Sequence, residues 1–217
     1  MPVELGYWKI RGLATPLRYQ MAYSGVEYTM TEYEQEDDLS NKAWLDKKFT
    51  LGLDFPNLPY LIDGDFKMSE TVPMHKYLAD KYCPDLLGKT PQDRANVNML
   101  GNNVVDLKMG ITMPCYMSGK EEEVLAAIDK HLPGILKFKG NNKFLTGDNV
   151  TWLDFYFVEV VEFMSRVKDD LYTQHPALQT YKDTVLGLPK LKEYLDSDAC
   201  IEKSRKFNNK SAKINFM

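Results

Sequence analysis

Leu5-Gly6-Tyr7-Trp8 sets a tyrosine near the end of the first apolar run of the chain. Val3 to Tyr7 reads as a strand, and side chains at strand ends point into the crevice where open sheets bind ligands. A phenol there can donate a hydrogen bond to a thiolate, which favours the charged form and lowers its pKa. The thiolate is the nucleophilic form of sulfur. A free thiol titrates near about 8.5, so a drop of roughly two units leaves it mostly ionised at neutral pH. On position alone, a packed amphipathic tyrosine is the commoner case.

Three further groups of residues invite a chemical reading. Phe55-Pro56-Asn57-Leu58-Pro59-Tyr60 holds two prolines around a loop-to-strand junction. A cis bond at Pro59 would turn the backbone of Leu58 outward toward an extended peptide ligand. Spacing alone favours an ordinary trans proline, since only about 5–6% of X–Pro bonds in folded proteins are cis. Ser69-Glu70-Thr71 opens a helix straight after a strand, with Ser69 as its cap. Free N–H groups and the positive dipole end there suit a carboxylate, and Glu70 could meet an ammonium group of the same ligand. A plain helix cap is the simpler alternative. Asp106, Met109, Met113 and Tyr116 fall at i, i+3, i+7 and i+10, on one side of a helix. Methionines make adaptable apolar walls, although such a stripe is usually core. The aspartate on that face is harder to assign to a core.

These residues need a scaffold, and the pattern supplies one. Ala14 to Ser24 reads as a helix, with Pro16 early and Gly25 ending it. Val26 to Tyr33 reads as a second strand, Glu34 to Lys42 as a charged loop, and Trp44 to Phe49 as a helical turn. Tyr60-Leu61-Ile62 and Phe66-Lys67-Met68 flank Asp63-Gly64-Asp65 as a hairpin. A helix then runs to about Tyr82. This order predicts a small mixed sheet with a crossover helix over residues 1–82. Residues 83–89, with Pro84 and Gly88, read as a linker. Residues 90–217 read as all-α, with helices over 90–117, 122–138, 151–169, 176–184 and 188–197. Pro114 predicts a kink in the first of these. Thr151-Trp152-Leu153-Asp154 is a capping box. The apolar run behind it predicts a central helix.

Composition bounds the function. The chain has 217 residues, 44% hydrophobic and 27% charged, with a net charge of −4. That describes a globular protein without the clustered Lys/Arg that phosphate binding needs, which argues against nucleic acid. No apolar run of about 18 residues occurs, and MPVELGYW carries no basic lead into an apolar stretch. The expectation is a cytoplasmic protein with no membrane partner. Cys83, Cys115 and Cys200 are odd in number, widely spaced and without C-x-x-C. Reduced thiols, with no metal site, are therefore expected.

GYWKIRGLA near the start, WLDKKFTLGLDFPNLPYLIDGD in the middle and TWLDF in the helical part resemble the mu-class cytosolic glutathione S-transferases. The likeness extends over essentially the whole chain and fades after Ser204. It implies an α+β fold: an N-terminal thioredoxin-like domain followed by an all-α domain that contributes the electrophile pocket. It implies a homodimer that uses glutathione as co-substrate, without a prosthetic group, to conjugate small hydrophobic electrophiles in detoxification. Roles follow from the same resemblance. Tyr7 matches the catalytic tyrosine, and Tyr116 a second one that assists epoxide opening. Trp8, Leu13, Trp44, Lys48, Asn57 and Leu58 match glutathione-binding positions, and Pro59 the cis-proline. Glu70 and Thr71 match the pair that holds the γ-glutamyl end, where the family usually has Gln-Ser. Asp106 matches an aspartate reaching the partner's glutathione, and Phe55 an aromatic that inserts into the partner. Ile10, Met109, Met113 and Tyr116 would wall the electrophile pocket. Residues 204–217 do not match the family tail. A non-catalytic ligand-binding or structural protein, or a glutathione-dependent isomerase, are the alternatives on the same fold.

Overall fold

The structure is a computed structural model that describes residues 2–216. Four strands form one sheet in the order β2-β1-β3-β4: β1 Val3–Trp8, β2 Tyr28–Tyr33, β3 Tyr60–Asp63 and β4 Phe66–Ser69. β1 runs parallel to β2, which requires a crossover, and antiparallel to β3. The crossover is helix α1, Ala14–Ser24. It stops at Gly25, whose φ of 68° places it in the left-handed region and whose N–H reaches the carbonyls of Ala22 and Met21. Helix α2, Lys42–Lys48, follows the charged loop. Strands β3 and β4 pair as a hairpin, with Asp63 opposite Phe66. Helix α3, Thr71–Tyr82, closes this part of the chain.

Six helices follow: α4 Pro91–Met117, α5 Glu121–Lys139, α6 Trp152–Val167, α7 Leu171–Gln174, α8 Pro176–Leu186 and α9 Pro189–Asp196. The whole is the expected α+β arrangement of a mixed sheet and then helices. α6 is buried along nearly its entire length and forms the centre of the helical core, as its all-round apolar pattern predicts. Its start is held by Asp154, which has no exposed surface. The Asp154 carboxylate accepts hydrogen bonds from the Leu145 and Thr151 N–H groups at 2.9 and 2.8 Å. It also accepts the Thr151 and Tyr181 hydroxyls, both at 3.0 Å. One side chain thus ties the α6 N-terminus to the preceding loop and to α8.

Several local expectations need correction. The cap of α3 is Glu70 and not Ser69. Ser69 remains in β4, because its hydroxyl donates to the Phe55 carbonyl at 2.5 Å. The segment 83–89 is not a plain linker, since Pro84–Leu87 forms a 3-10 turn that buries Leu86. The second strand starts at Tyr28, two residues late, because Val26 returns its N–H to Met21 in the α1 turn. Helix α7 and a 3-10 turn at Glu202–Ser204 carry no periodic signal long enough to read. Pro114 falls inside α4, where the sequence placed it.

The sheet side has its own core, including Leu5, Leu17, Met21, Tyr60 and Leu61. It joins the helical core through α1 and α3, which both pack on α6. His75 of α3 lies between Trp152 and Tyr156. Two buried ion clusters cross the same boundary. Arg11 pairs with Glu159 at 2.5 Å and with Glu162, and Arg18 pairs with Glu202 at 2.5 Å. All three cysteines are free thiols.

Candidate functional site

β1 delivers Tyr7 to the boundary between the sheet and α4. The chain then turns through Gly12, whose φ is 46°. A Cβ at Gly12 would sit 2.5 Å from the Tyr7 hydroxyl, so the close approach requires glycine. The turn brings the Leu13 N–H to the Tyr7 oxygen at 3.1 Å. That oxygen accepts one hydrogen bond, and its own proton meets no acceptor among the described residues. Tyr7 is 6% exposed. Burial pushes its phenol well above the ordinary range, and the Leu13 N–H opposes this only in part. The phenol is therefore a protonated, pre-oriented donor.

It opens onto a cavity of about 320 Å3. Trp8, Ile10 and Leu13 line it from the sheet side. Lys108, Met109, Thr112 and Tyr116 line it from α4. Gln35 and Asn41 come from the loop between β2 and α2, and Phe207, Asn208, Asn209 and Ser211 from the C-terminal tail.

That tail is ordered by specific bonds. The Lys206 and Phe207 carbonyls accept the Arg11 and Gly12 N–H groups at 2.8 and 3.2 Å. Gln35 bonds both the N–H and the hydroxyl of Ser211, at 2.9 and 3.1 Å. The Cys115 carbonyl accepts the Lys213 N–H at 2.7 Å. Phe207 packs edge-on against Phe163 and lies under the Arg11 guanidinium. The Asn209 N–H donates to the Tyr116 hydroxyl at 2.9 Å. Tyr116 thus repeats the Tyr7 arrangement: a phenol accepts a backbone N–H, and its own proton meets no acceptor among the described residues. Burial raises its pKa too.

Of the residues read from sequence, the cavity gathers Tyr7, Trp8, Ile10, Leu13, Met109 and Tyr116. The others lie elsewhere. Met113 is 43% exposed and Met109 47%, so the methionine stripe is not core. Met113 does not line the cavity. The face turned inward is Lys108, Thr112 and Tyr116, at i, i+4 and i+8. Trp44 is buried, stacked on Tyr60 and edge-on to Tyr33. The Lys48 ammonium lies 5.5 Å from the ring of Phe49. Asn57 is exposed, and its side-chain oxygen accepts the Leu58 N–H at 2.9 Å. The Leu58–Pro59 bond is cis, against the reading from spacing and with the resemblance. Glu70 is exposed at φ 75°, a backbone state that costs a non-glycine residue about 1–3 kcal/mol. Thr71 is buried behind it, and Asp106 is exposed on α4.

Lys108 was not singled out in the sequence, yet its residue is 4% exposed. Its ammonium lies over the Phe163 ring at 5.1 Å and makes no hydrogen bond among the described residues. Burial pushes its pKa down, with Glu159 opposing. Thr112 Oγ1 is buried without a hydrogen-bond partner among the described residues, and the Asn208 side chain lies against the Cys115 thiol. The spacing of Lys108 and Thr112 ahead of Tyr116 was the available signal; the tail residues offered none.

Two family models cover most of the chain. One for the N-terminal domain of glutathione S-transferase matches residues 3–80, and one for the C-terminal domain matches residues 106–198. A class-mu 26 kDa glutathione S-transferase, isozyme 51, of Fasciola hepatica is 38% identical over 206 residues, which covers 93% of this chain and 92% of that protein. Glutathione S-transferase Mu 2 of Mus musculus is 34% identical over 208 residues, with 94% of each chain covered. The crystal structure of the glutathione S-transferase Blo t 8 superposes with a TM-score of 0.83 at 29% identity, covering 97% of this chain and 99% of that one.

Proposed function

The chain belongs to the glutathione S-transferase family, and from that premise we propose how its site works. It is a mu-class enzyme that joins the thiol of glutathione, its co-substrate, to hydrophobic electrophiles. The observation that carries the mechanism is the Tyr7 phenol, fixed by the Leu13 N–H with its proton unclaimed beside the cavity. Tyr7 donates that proton's hydrogen bond to the glutathione sulfur and favours the thiolate. The sulfur lone pair attacks the electrophilic carbon, a C–S bond forms, and the leaving group departs with its bonding electrons. Where the electrophile is an epoxide, the Tyr116 O–H donates to the opening oxygen. The cavity brings the two reactants together, which removes much of the entropic cost of their encounter.

The tripeptide is held by Trp8, Leu13, Trp44, Lys48, Asn57 and Leu58, next to the cis Pro59. Trp44 and Lys48 lie toward its glycine carboxylate, and Glu70 and Thr71 toward its γ-glutamyl end. The strained backbone at Glu70 supports a binding role for that turn. Ile10, Met109 and Tyr116 receive the electrophile. Residues 1–82 form the glutathione-binding domain and residues 90–217 the helical domain, joined by 83–89. The enzyme works in the cytoplasm as a homodimer. Asp106 reaches toward the partner's glutathione, and Phe55, 78% exposed, inserts into the partner. No helix among the described residues is long and apolar enough to cross a membrane.

The test is conjugation of glutathione to a chlorinated nitroarene by wild type and Tyr7→Phe. Turnover falls by about 10–10²-fold in the variant, the loss of one hydrogen bond to a charged group. Equal activity removes Tyr7 from the mechanism. Wild type that is retained on a glutathione resin but conjugates nothing refutes the enzyme.

A further inference from the structure

One face of the sheet carries a polar relay that the mechanism above does not use. Glu4, Gly6 and Trp8 point to the same side of β1, because alternate residues of a strand share a face. Gly6 pairs with Thr31 of β2 on one side and with Tyr60 of β3 on the other. A Cβ at Gly6 would stand 2.1 Å from the Tyr60 ring, so the glycine leaves the bed in which that ring lies across β1. Tyr60 is fully buried. Its hydroxyl donates to the Glu4 carboxylate at 2.8 Å, and the Thr31 hydroxyl donates to the same oxygen, also at 2.8 Å. The Tyr33 and Tyr60 hydroxyls are 3.2 Å apart. An ionised carboxylate only accepts, so the Tyr60 proton is committed to Glu4 and Tyr33 is the donor to Tyr60. Burial pushes the Tyr60 phenol well above its ordinary pKa, and the bonds to Tyr33 and Glu4 add to this, so it stays a donor.

The rings fixed in this way support helix α2. Among the described residues of α2, Trp44 alone is buried. Its ring stacks on Tyr60 with centroids 6.1 Å apart, and it meets Tyr33 edge-on at 5.3 Å. Tyr33 also meets Trp8 edge-on at 6.4 Å. Rings packed in this manner interdigitate, so a shift in one moves the next. A helix held by one side chain takes its position from whatever fixes that side chain. Lys48 stands one helical turn after Trp44 and moves with it.

We propose that Glu4 is a positioning residue for glutathione: by accepting the Tyr60 hydroxyl it fixes the ring bed under Trp44, and with it the placement of α2 against the glycine end of the tripeptide. This rests on the glutathione-binding reading above, which assigns Trp44 and Lys48 to that end. Glu4 lines no part of the cavity. Tyr7 lies on the opposite face of β1, three residues on, and its bond to Leu13 involves no member of the relay. Glu4 therefore acts on binding of the tripeptide and not on the step at sulfur.

The experiment measures kcat and the KM for glutathione in the full-length enzyme with a saturating chlorinated nitroarene, and the thermal midpoint alongside. Glu4→Val suits a strand and removes the acceptor. Tyr60→Phe keeps the ring and removes the donor. Each raises the KM by about 3–10-fold, the equivalent of one hydrogen bond, with kcat close to that of wild type. Glu4→Gln, whose amide oxygen still accepts, keeps the wild-type KM. If Glu4→Val yields no folded protein, Tyr60→Phe carries the test. A role in stability alone would lower the midpoint of the variants and leave the KM of the folded enzyme untouched, and that result overturns the inference. A fall in kcat at constant KM overturns it too, as does Glu4→Gln with the KM of Glu4→Val. All three results leave the functional reading standing, whereas wild type without affinity for glutathione overturns both.

Discussion

Replacing Tyr7 with phenylalanine should produce a defect whose size depends on pH. The substitution removes the donor to sulfur and leaves the Leu13 N–H without its acceptor at 3.1 Å. A hydrogen bond to a charged group is worth about 1.5–3 kcal/mol, and one pKa unit corresponds to about 1.36 kcal/mol. A single phenol donor therefore lowers a thiol pKa by about one to two units. Taking two units, the bound thiol titrates near about 6.5 in wild type and near about 8.5 in the variant. The thiolate fraction at pH 7 is then about 76% against about 3%, a deficit of about 25-fold. At pH 9 the fractions are nearly full and about 76%, and the deficit shrinks to about 1.3-fold. Tyr7 itself does not titrate across this range, because burial holds its phenol above the ordinary value. The assay is kcat/KM for an aryl halide from pH 6 to 9.5, alongside the ultraviolet absorbance of bound thiolate. Parallel pH profiles, offset by a constant factor, would refute ionisation control and leave Tyr7 a positioning role.

Gly12→Ala places a Cβ 2.5 Å from the Tyr7 oxygen at φ 46°, so it should lose activity with a Tyr7-like pH profile. Its thermal stability should fall by only about 1–2 kcal/mol, the cost of the left-handed backbone for a residue with a Cβ. Asp154→Ala removes an acceptor for two buried N–H groups and two hydroxyls, and a urea titration should show a loss of at least about 3 kcal/mol. Glu202→Gln leaves the fully buried Arg18 without its counter-charge and should cost about 3–5 kcal/mol at pH 7. Burial alone would raise the Glu202 pKa, but Arg18 holds it below the ordinary value. The contribution of Glu202 is therefore whole above about 4.3, the ordinary glutamate value, and is lost as pH falls through the folded pKa. The gap between wild type and Glu202→Gln in urea midpoint should close in acid, and a gap that widens would contradict the sign.

Much of the scaffold was legible because its signals are local. The bounds of α1 come from Pro16 and the left-handed Gly25, which act within a turn of where they stand. Tyr7 stood out because a strand end has a direction. The central place of α6 followed from an apolar run too broad for one face. What was not legible depends on distant partners. Ser69 looks like a cap until the Phe55 carbonyl, 14 residues away, claims its hydroxyl. Lys108 on a helix reads as a solvent-facing side chain, and only the placement of α6 and the tail buries it. The residues after Ser204 have no period and little resemblance to the family. Their conformation is dictated by Arg11, Gln35, Cys115 and Tyr116. The stripe spans two adjoining faces of α4: Asp106 and Met113 are exposed, whereas Met109 and Tyr116, with Lys108 and Thr112, line the cavity.

The way the tail is bound has a consequence for biosynthesis. Gln35 meets Ser211 across a sequence separation of 176 residues. At about 5–20 residues per second, a ribosome needs about 9–35 s to travel that far. The sheet and its tyrosine emerge first and can fold while the last stretch is still being translated. Throughout that interval the cavity lacks a wall, and Tyr116 lacks the amide that orients it. A nascent chain halted before this segment would therefore lack a finished catalytic chamber, and competence would arrive only once residues 206–213 had been made.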